Sequence, residues 1–434
     1  MDFKEAMEYL ELCQPPQMTL GLDSIEELLR RMGNPEQKLK FVHVGGTNGK
    51  GSTAAFLSSI LACAGLRVGR YISPTISDYC ERIQVTDEIG TTYISRDDVA
   101  DKITKIKTYV DDMSKEGYKT PSPFEMETVM AFLAFEEKNC DIVVLEVGLG
   151  GRLDATNVIS NKELCILCSI SMDHMGILGN TIGDIAREKV EIIKENTAVV
   201  TYDYGSMGTQ GSIIRNIVEE KCKAMNAKCL TTDFNNIKIT SMSLSGTQFS
   251  YETYHDLKIP LLGVNQPKNA VLSLVAALHL RDMGYKISDE HIRLGLERTT
   301  WNGRLEVVAT DPIIIIDGAH NEDAARTLKE SLELYFPGKK LEMIMGVFAD
   351  KEYEKILEIM APKIEELLTI NAPTSRGLPS SDLKNAAKKY CDNVVDAKNI
   401  NNALRLAKEK NSEVIIVFGS LSFLNEIYKY LAIE

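Results

Sequence analysis

Short apolar runs alternate along this chain with longer stretches whose apolar residues recur at helical spacing, the pattern of a mostly parallel sheet covered by helices. "KFVHV" (40–44) reads as a buried strand, and "STAAFLSSILACAG" (52–65) as a helix with a small-residue face; a glycine-rich loop joins them. Further on, "FEMETVMAFLAFEE" (124–137) predicts a helix and "CDIVVLEVG" (140–148) a buried strand ending in Glu146. "LCILCSIS" (164–171) predicts another strand, ending just before Asp173 and His174. Across 230–260 the alternation switches to period two with turn residues, which predicts a small antiparallel subsheet on the edge of the first domain. "ERTTWNGRLEVV" (297–308) is a candidate hinge, after which the βα pattern restarts at "PIIIIDGAHN" (312–321), with strands expected at 341–347, 365–370, 393–397 and 413–420.

Composition narrows the class. The chain has 434 residues, too many for one ordinary core, with 44% hydrophobic and 26% charged residues. It holds no apolar run of the ~18 residues that a membrane helix needs, and "MDFKEAMEYLELC" lacks the basic and apolar regions of a signal peptide, so a cytoplasmic protein with no membrane partner is expected. A net charge of −13 argues against a nucleic-acid surface, since phosphate backbones are bound by clustered Lys and Arg. Anionic ligands must then be held locally, by a few placed cations, metals and backbone amides. The one C-x-x-C, Cys165 to Cys168, lies in an apolar strand-like run, which speaks against a redox or zinc role.

The loop "VHVGGTNGKGS" (42–52) stands between a strand and a helix, the context of a phosphate-binding loop, yet departs from the usual G-x-x-x-x-G-K-[ST]. Val44 occupies the first glycine's place, and Gly51 separates Lys50 from Ser52. Gly45, Gly46, Gly49 and Gly51 let backbone N–H groups, with those of Thr47 and Asn48, converge on phosphate oxygens; Lys50 reaches the β- and γ-phosphates, and Ser52 opens a helix whose dipole favours anions. The plainer alternative is a glycine-rich turn that binds nothing. Glu146, at a strand's carboxyl end before "GLGGRLDATN" (148–157), is either a hard oxygen ligand for Mg²⁺ or a helix cap. His174 emerges at a similar edge, where open α/β sheets bind ligands. Lys189 follows on a helix with Thr181 as candidate N-cap; a lysine near a divalent cation binds phosphate or is converted to a carbamate, a carboxylate-like ligand. In the second half, Asp317-Gly-Ala-His-Asn321 leads from strand to helix, and Arg304 at the hinge is placed to meet a nucleotide from across a cleft. The fold class is therefore α/β: an N-terminal P-loop ATPase domain (1–298) with a mostly parallel sheet plus a small antiparallel subsheet, and a smaller C-terminal Rossmann-like α/β domain (299–434).

Taken together, "GGTNGKGS", "SPTISDYCERI" (73–83), "FEMET" (124–128), "EVGLGGRLDATN" (146–157), "DHMGILGNTIGDIAREK" (173–189), "GVNQPKNA" (263–270), "NGR" (302–304), "DGAHN" (317–321) and "FGSLSFL" (418–424) resemble the folylpolyglutamate synthase and dihydrofolate synthase branch of the Mur ligase superfamily. The resemblance runs in order from residue 45 to residue 424, and its T-N-G-K-[GT]-S spelling accounts for the unusual loop. It implies an ATP-dependent ligase that phosphorylates a substrate carboxylate and lets L-glutamate attack the acyl phosphate, with dihydropteroate or a folate γ-carboxylate as acceptor. It further implies that Ser73 and Glu146 ligate one Mg²⁺ while Glu146, His174 and a carbamylated Lys189 hold a second, so that Lys50, Glu146, His174 and Lys189 form the catalytic set. Gly46 to Ser52, Asn269, Arg304 and Asp317 would bind ATP, His320 and Ser420 would receive glutamate, and Phe124, Arg152 and Asp154 would form the pterin and folate pocket. A monomer is expected. Thr75, Val190, Glu191, Asn302 and Glu322 depart from the usual spelling, and charge repulsion from Glu191 is expected to work against a carbamate on Lys189. The rival readings are a Mur-type ligase for a non-folate acid and a P-loop nucleotide switch without ligase activity.

Overall fold

Phe41–Gly45 is buried at all five positions, so this strand can only lie inside a sheet with both faces covered. The computed structural model describes residues 1–14, 21–75, 78–372, 376–420 and 423–433. Among them the first sheet has eight strands: β1 (Phe41–Gly45), β2 (Val68–Tyr71), β3 (Ile83–Thr86), β4 (Thr91–Tyr93), β5 (Ile142–Glu146), β6 (Lys162–Leu167), β7 (Ala198–Thr201) and β8 (Cys229–Thr231), in the spatial order β4-β3-β2-β5-β1-β6-β7-β8. β1 runs parallel to both its neighbours, β5 and β6, while β3 and β4 turn back antiparallel on the β2 side. The chain thus crosses to opposite sides of β1, and the crevice at its carboxyl end is where such sheets bind ligands.

Two expectations change here. β6 stops at Leu167 rather than 171, because the next residues, of which Cys168 and Ile170 are buried, are drawn away to hold the glycine loop: the N–H groups of Thr47 and Asn48 donate to Ser169 O at 2.6 and 3.3 Å. The period-two stretch also divides. Its first residues join the main sheet as β8, and β9 (Ile237–Ser243), β10 (Gly246–Tyr251) and β11 (Tyr254–Ile259) form an antiparallel sheet of their own, not an extension of the first sheet's edge. Phe249, Tyr251, Leu257 and Ile259 turn its apolar face into the first domain's core.

The second domain is built on β12 (Glu306–Thr310), β13 (Ile313–Ile316), β14 (Leu341–Met345), β15 (Ile364–Ile370), β16 (Val394–Lys398) and β17 (Val414–Phe418), ordered β12-β13-β17-β14-β15-β16. Its strands are parallel except β12, which pairs antiparallel with β13 and begins inside the stretch read as a hinge. Apolar clusters cover both faces of this sheet, one around Met343 and Phe418 and the other around Ile344 and Val417. No helix among the described residues is long and apolar enough to cross a membrane.

The helix Lys50–Cys63 begins two residues before the expected 52, with Gly49 as its N-cap at φ 89°. Its far end is gripped by the helix Asp289–Arg298: a Cβ on Gly295 would lie 2.3 Å from Ile60 Cα. Gly295→Ala must therefore push two helices apart, a cost of about 1–3 kcal/mol that exceeds what alanine gains in helix propensity. The expected outcome is a lower thermal midpoint with an unchanged far-UV spectrum; an equal or higher midpoint would show that the contact yields freely.

Candidate active site

The glycine loop closes over the end of β1 with Gly46 at φ 139° and Gly49 at φ 89°, conformations that residues with a Cβ seldom adopt. Thr47 Oγ1 donates to Ser171 O at 3.1 Å, fixing the loop's outer side. Lys50 Nζ lies 3.1 Å from Thr47 O and 3.9 Å from Glu146 Oε1, so the lysine is folded onto its own loop beside the carboxylate at the end of β5. Glu146 is buried, and burial pushes its carboxyl up to about 7 against the opposing pull of Lys50, Arg304 and the Ser73 backbone. Asn269, on the helix Gln266–Asp282, packs so tightly that a Cβ on Gly49 would come 2.5 Å from its Oδ1. Its Nδ2 donates to Gln266 Oε1 at 3.1 Å, and Gln266 Nε2 in turn donates to Ser52 Oγ at 3.4 Å.

The second domain supplies the opposite wall. Asp317 follows β13 and accepts from the N–H groups of Leu305 and Ala319 at 2.9 and 2.8 Å; burial raises its carboxyl and Arg304 pulls it back. His320 is held by Nδ1, 2.7 Å from Gly318 O, and burial lowers its pKa to about 4. At neutral pH it is an uncharged imidazole, which donates from Nδ1 because a carbonyl can only accept, and offers Nε2 as an acceptor. Contacts that join the walls directly include Asn48 Nδ2, which donates to Asp323 Oδ2 at 2.7 Å, Asn265 Nδ2, which donates to Thr327 Oγ1 at 3.1 Å, and Lys351 Nζ, which faces Asp173 Oδ1 at 3.8 Å. Asp173 is raised by burial, but His174, Lys351 and His320 outweigh that and leave it below the usual carboxylate range.

The structure therefore gathers Thr47 to Ser52, Ser73, Glu146, His174, Asn269, Arg304, Asp317 and His320 around one cleft of about 210 Å³. Other sequence candidates stand outside its lining. Gly46 backs the loop, and its carbonyl accepts from Lys189 Nζ at 2.9 Å; burial lowers this lysine to about 7. Phe124 lies behind Gly148, where a Cβ would meet its ring at 2.4 Å. Arg152 turns to Glu188 at 3.0 Å, and Asp154 caps its own loop, accepting from Leu149 N at 2.7 Å and Thr156 N at 3.0 Å. Ser420 is buried in the second domain. Within the stretches quoted for the resemblance, residues 76–77 and 421–422 lie outside the described residues.

For Mg²⁺, the donor chemistry fits in part. Glu146 is a buried oxygen donor beside Ser73 and Lys50 in the cleft, the hard ligand such a cation requires. His174 instead faces Asp173 at 3.7 Å, and among the described residues no three His, Cys, Asp or Glu side chains converge as a ready-made metal cluster. Glu191, expected to repel a carbamate on Lys189, reaches Lys221 Nζ at 2.9 Å, which neutralises its field there.

Sequence reasoning missed a buried relay under the loop 148–157. Lys162 Nζ donates to His43 Nδ1 at 2.9 Å, His43 Nε2 to Thr156 Oγ1 at 2.8 Å, and Thr156 Oγ1 to Asp154 Oδ1 at 2.5 Å. A histidine inside an apolar strand run carries no signal of such partners. Asp323 and Lys351 were equally silent, since their roles exist only when the domains dock.

A glycine-rich loop facing a second α/β domain across one cleft is a layout suited to a nucleotide-dependent ligase. Family models agree on both halves: the Mur ligase middle domain matches residues 44–277, and the Mur ligase glutamate ligase domain matches 303–421. The dihydrofolate synthase/folylpolyglutamate synthase of Bacillus subtilis is 34% identical over 423 residues, 95% of each chain. The crystal structure of folylpolyglutamate synthase from Thermotoga maritima superposes with a TM-score of 0.84 at 34% identity, covering 99% of this chain and 96% of that one. The Mycobacterium tuberculosis folylpolyglutamate synthase, complexed with ADP, gives 0.86 at 27% identity, covering 98% and 97%. The chain belongs to the Mur ligase family, in its dihydrofolate synthase/folylpolyglutamate synthase branch, and is an ATP-dependent ligase.

The buried carboxylate gives a pH signature. Between about pH 4.5 and about 7 the folded protein keeps the Glu146 proton that the unfolded chain has lost, so wild-type stability falls relative to Glu146→Gln across that window. The difference should reach on the order of 3 kcal/mol and level off above it. Urea midpoints of both proteins check this; parallel pH curves would mean that the carboxyl is not raised.

Proposed function

We propose that this enzyme joins L-glutamate to folate-type carboxylates, acting on both dihydropteroate and the γ-carboxylate of tetrahydrofolates. The observation that carries this is the cleft itself, in which the Lys50 loop of one domain faces Arg304, Asp317 and a neutral His320 of the other. Relatives named for one or both reactions support it, as does a related structure described as a complex with AMPPCP and folate.

In this reading the loop amides, Lys50 and the start of its helix hold the ATP phosphates, while Asn269, Arg304 and Asp317 orient the nucleotide. The acceptor carboxylate oxygen bonds to the γ-phosphorus as the bond to ADP breaks. The glutamate amine then attacks the acyl carbon, phosphate leaves, and an amide remains. His320 Nε2, uncharged and an acceptor, is suited to the ammonium of incoming glutamate, with Ser420 beside the same domain edge. Phe124, Arg152 and Asp154 shape the pterin side, Asp154 through its loop. Mg²⁺ held by Ser73 and Glu146, with a second ion at His174 and Lys189, would offset charge on the transferring phosphoryl group. Carbamylation of Lys189 needs a neutral amine, which a pKa of about 7 supplies. Docking of the domains would exclude water from the acyl phosphate. The same proposal divides the chain into a nucleotide-binding domain, 1–298, and a glutamate-ligase domain, 299–434, acting as a cytoplasmic monomer without nucleic-acid or membrane partners.

Phosphate release from MgATP with L-glutamate, compared across dihydropteroate, tetrahydrofolate and no acceptor, tests the reading, with products identified by mass. A gain of one glutamyl unit on both acceptors is expected. Turnover on one alone would restrict the substrate, and none on either would send the site to other carboxylic acids. Lys189→Ala should abolish turnover while leaving ATP affinity within about twofold by calorimetry; wild-type rates in that variant would remove the carbamate from the mechanism.

A further inference from the structure

One ammonium ties the loop 148–157 to the end of the helix Ile182–Val190. Lys162 opens β6 with a partly exposed stem, yet its Nζ turns inward and spends all three of its hydrogens: on His43 Nδ1 at 2.9 Å, on Asn157 Oδ1 at 3.1 Å and on Ile192 O at 2.9 Å. Burial lowers its pKa to about 8, with Cys165 opposing the fall and Lys194 adding to it, so at neutral pH it stays mostly charged. His43 is fully buried in β1, and that burial, helped by Lys162 and Lys194, holds its pKa well below the usual range. A neutral imidazole that accepts at Nδ1 carries its proton on Nε2, so the donors run one way, from Lys162 through His43 and Thr156 to Asp154.

Several pieces of the site hang on this chain. Asp154 Oδ2 accepts from the Leu149 amide at 2.7 Å, and Leu149 adjoins Gly148, which lines the cleft. Asn157 Nδ2 donates to Arg152 O at 3.2 Å and to Glu191 O at 3.3 Å, so the middle of the loop is fastened to the end of the Lys189 helix. There the fit is close: a Cβ on Gly151 would lie 2.6 Å from Glu188 O and 2.9 Å from Lys189 O. No carboxylate touches Lys162 among the described residues, and an inward ammonium without one is costly. A full set of acceptors offsets that cost, and a shift of the loop would break the set.

We propose that Lys162, His43 and Thr156 are positioning residues for the carboxylate acceptor: their chain of donors fixes the Asp154 carboxylate, and with it the loop that receives the acceptor. This rests on the reading that a folate-type acid lies against 148–157. None of the three lines the cleft, so they act through Asp154, Leu149 and Asn157 without touching substrate. Lys189 keeps its own anchor on Gly46 O at 2.9 Å, so breaking the chain frees the loop and not that lysine. Acceptor binding therefore depends on the chain far more than phosphoryl transfer does.

Thr156→Val keeps the shape of the side chain and removes the hydroxyl, whereas Thr156→Ser keeps the hydroxyl. Lys162→Met breaks the chain at its partly exposed end and serves if Thr156→Val fails to fold. In steady-state assays with MgATP, L-glutamate and tetrahydrofolate, the acceptor KM is expected to rise about tenfold in Thr156→Val and severalfold in Lys162→Met. The kcat and the KM for MgATP should stay within about threefold, and Thr156→Ser close to wild type. Amide exchange read by mass should quicken in a peptide spanning 148–157 and stay unchanged in one spanning 50–63. An unchanged acceptor KM, an equal rise in the KM of every substrate, or a Thr156→Ser variant as poor as Thr156→Val overturns the proposal. If the wild type turns over no folate acceptor, the folate reading fails and exchange alone decides. Equal exchange of 148–157 in wild type and Thr156→Val then overturns the positioning role, and faster exchange in the variant upholds it for another acid.

Discussion

Two backbone hydrogen bonds set the height of the nucleotide loop: the N–H groups of Thr47 and Asn48 both donate to the Ser169 carbonyl. They stop β6 early, pin the loop to the strand beside it, and leave Gly49 free to open the helix that follows. With them, the loop becomes a rigid cradle whose remaining amides are available to phosphate oxygens.

Around this cradle the approach distances are short because Cβ atoms are absent. Gly49 lets Asn269 reach the loop, Gly51 admits the Trp301 ring, and Gly148 seats Phe124. The first two bring different segments of the chain onto the loop itself, and the third packs behind the neighbouring strand end. Asn48 reaches across the cleft to Asp323, which makes the loop's position sensitive to how the second domain sits.

Burial then sets the charge states. It holds Glu146 near neutrality, lowers Lys189 to about 7 and keeps His320 uncharged. A carboxyl, an amine and an imidazole are all brought near the point where a proton or a ligand changes their charge, by one cause acting on groups of opposite sign. Arg70 is the contrasting case, a buried guanidinium that keeps its charge and spends its donors on the Gln84 side-chain oxygen while lying over the Trp301 ring.

The sequence by itself determined the strand–glycine–helix unit at 41–63, the α/β pattern of both halves, and the polar residues at strand ends, because period and residue type act over a few positions. It missed β12 inside the supposed hinge and misread where β6 ends, since neither is decided by local pattern. β12 forms because β13 offers an edge, and the end of β6 is given up to the loop. A place at the cleft was legible for Lys50, Glu146, Arg304, Asp317 and His320 from the strand ends and hinge around them, and for Asn269 only through the resemblance of "GVNQPKNA". Only the tertiary structure decided that Lys189 stands behind Gly46, that Asp154 spends its oxygens on its own loop, and that His43 carries a relay. The first and last depend on side chains that meet across more than a hundred residues of chain, the second on a loop conformation that its residue types leave open, and burial, not sequence spacing, sets the charge carried there.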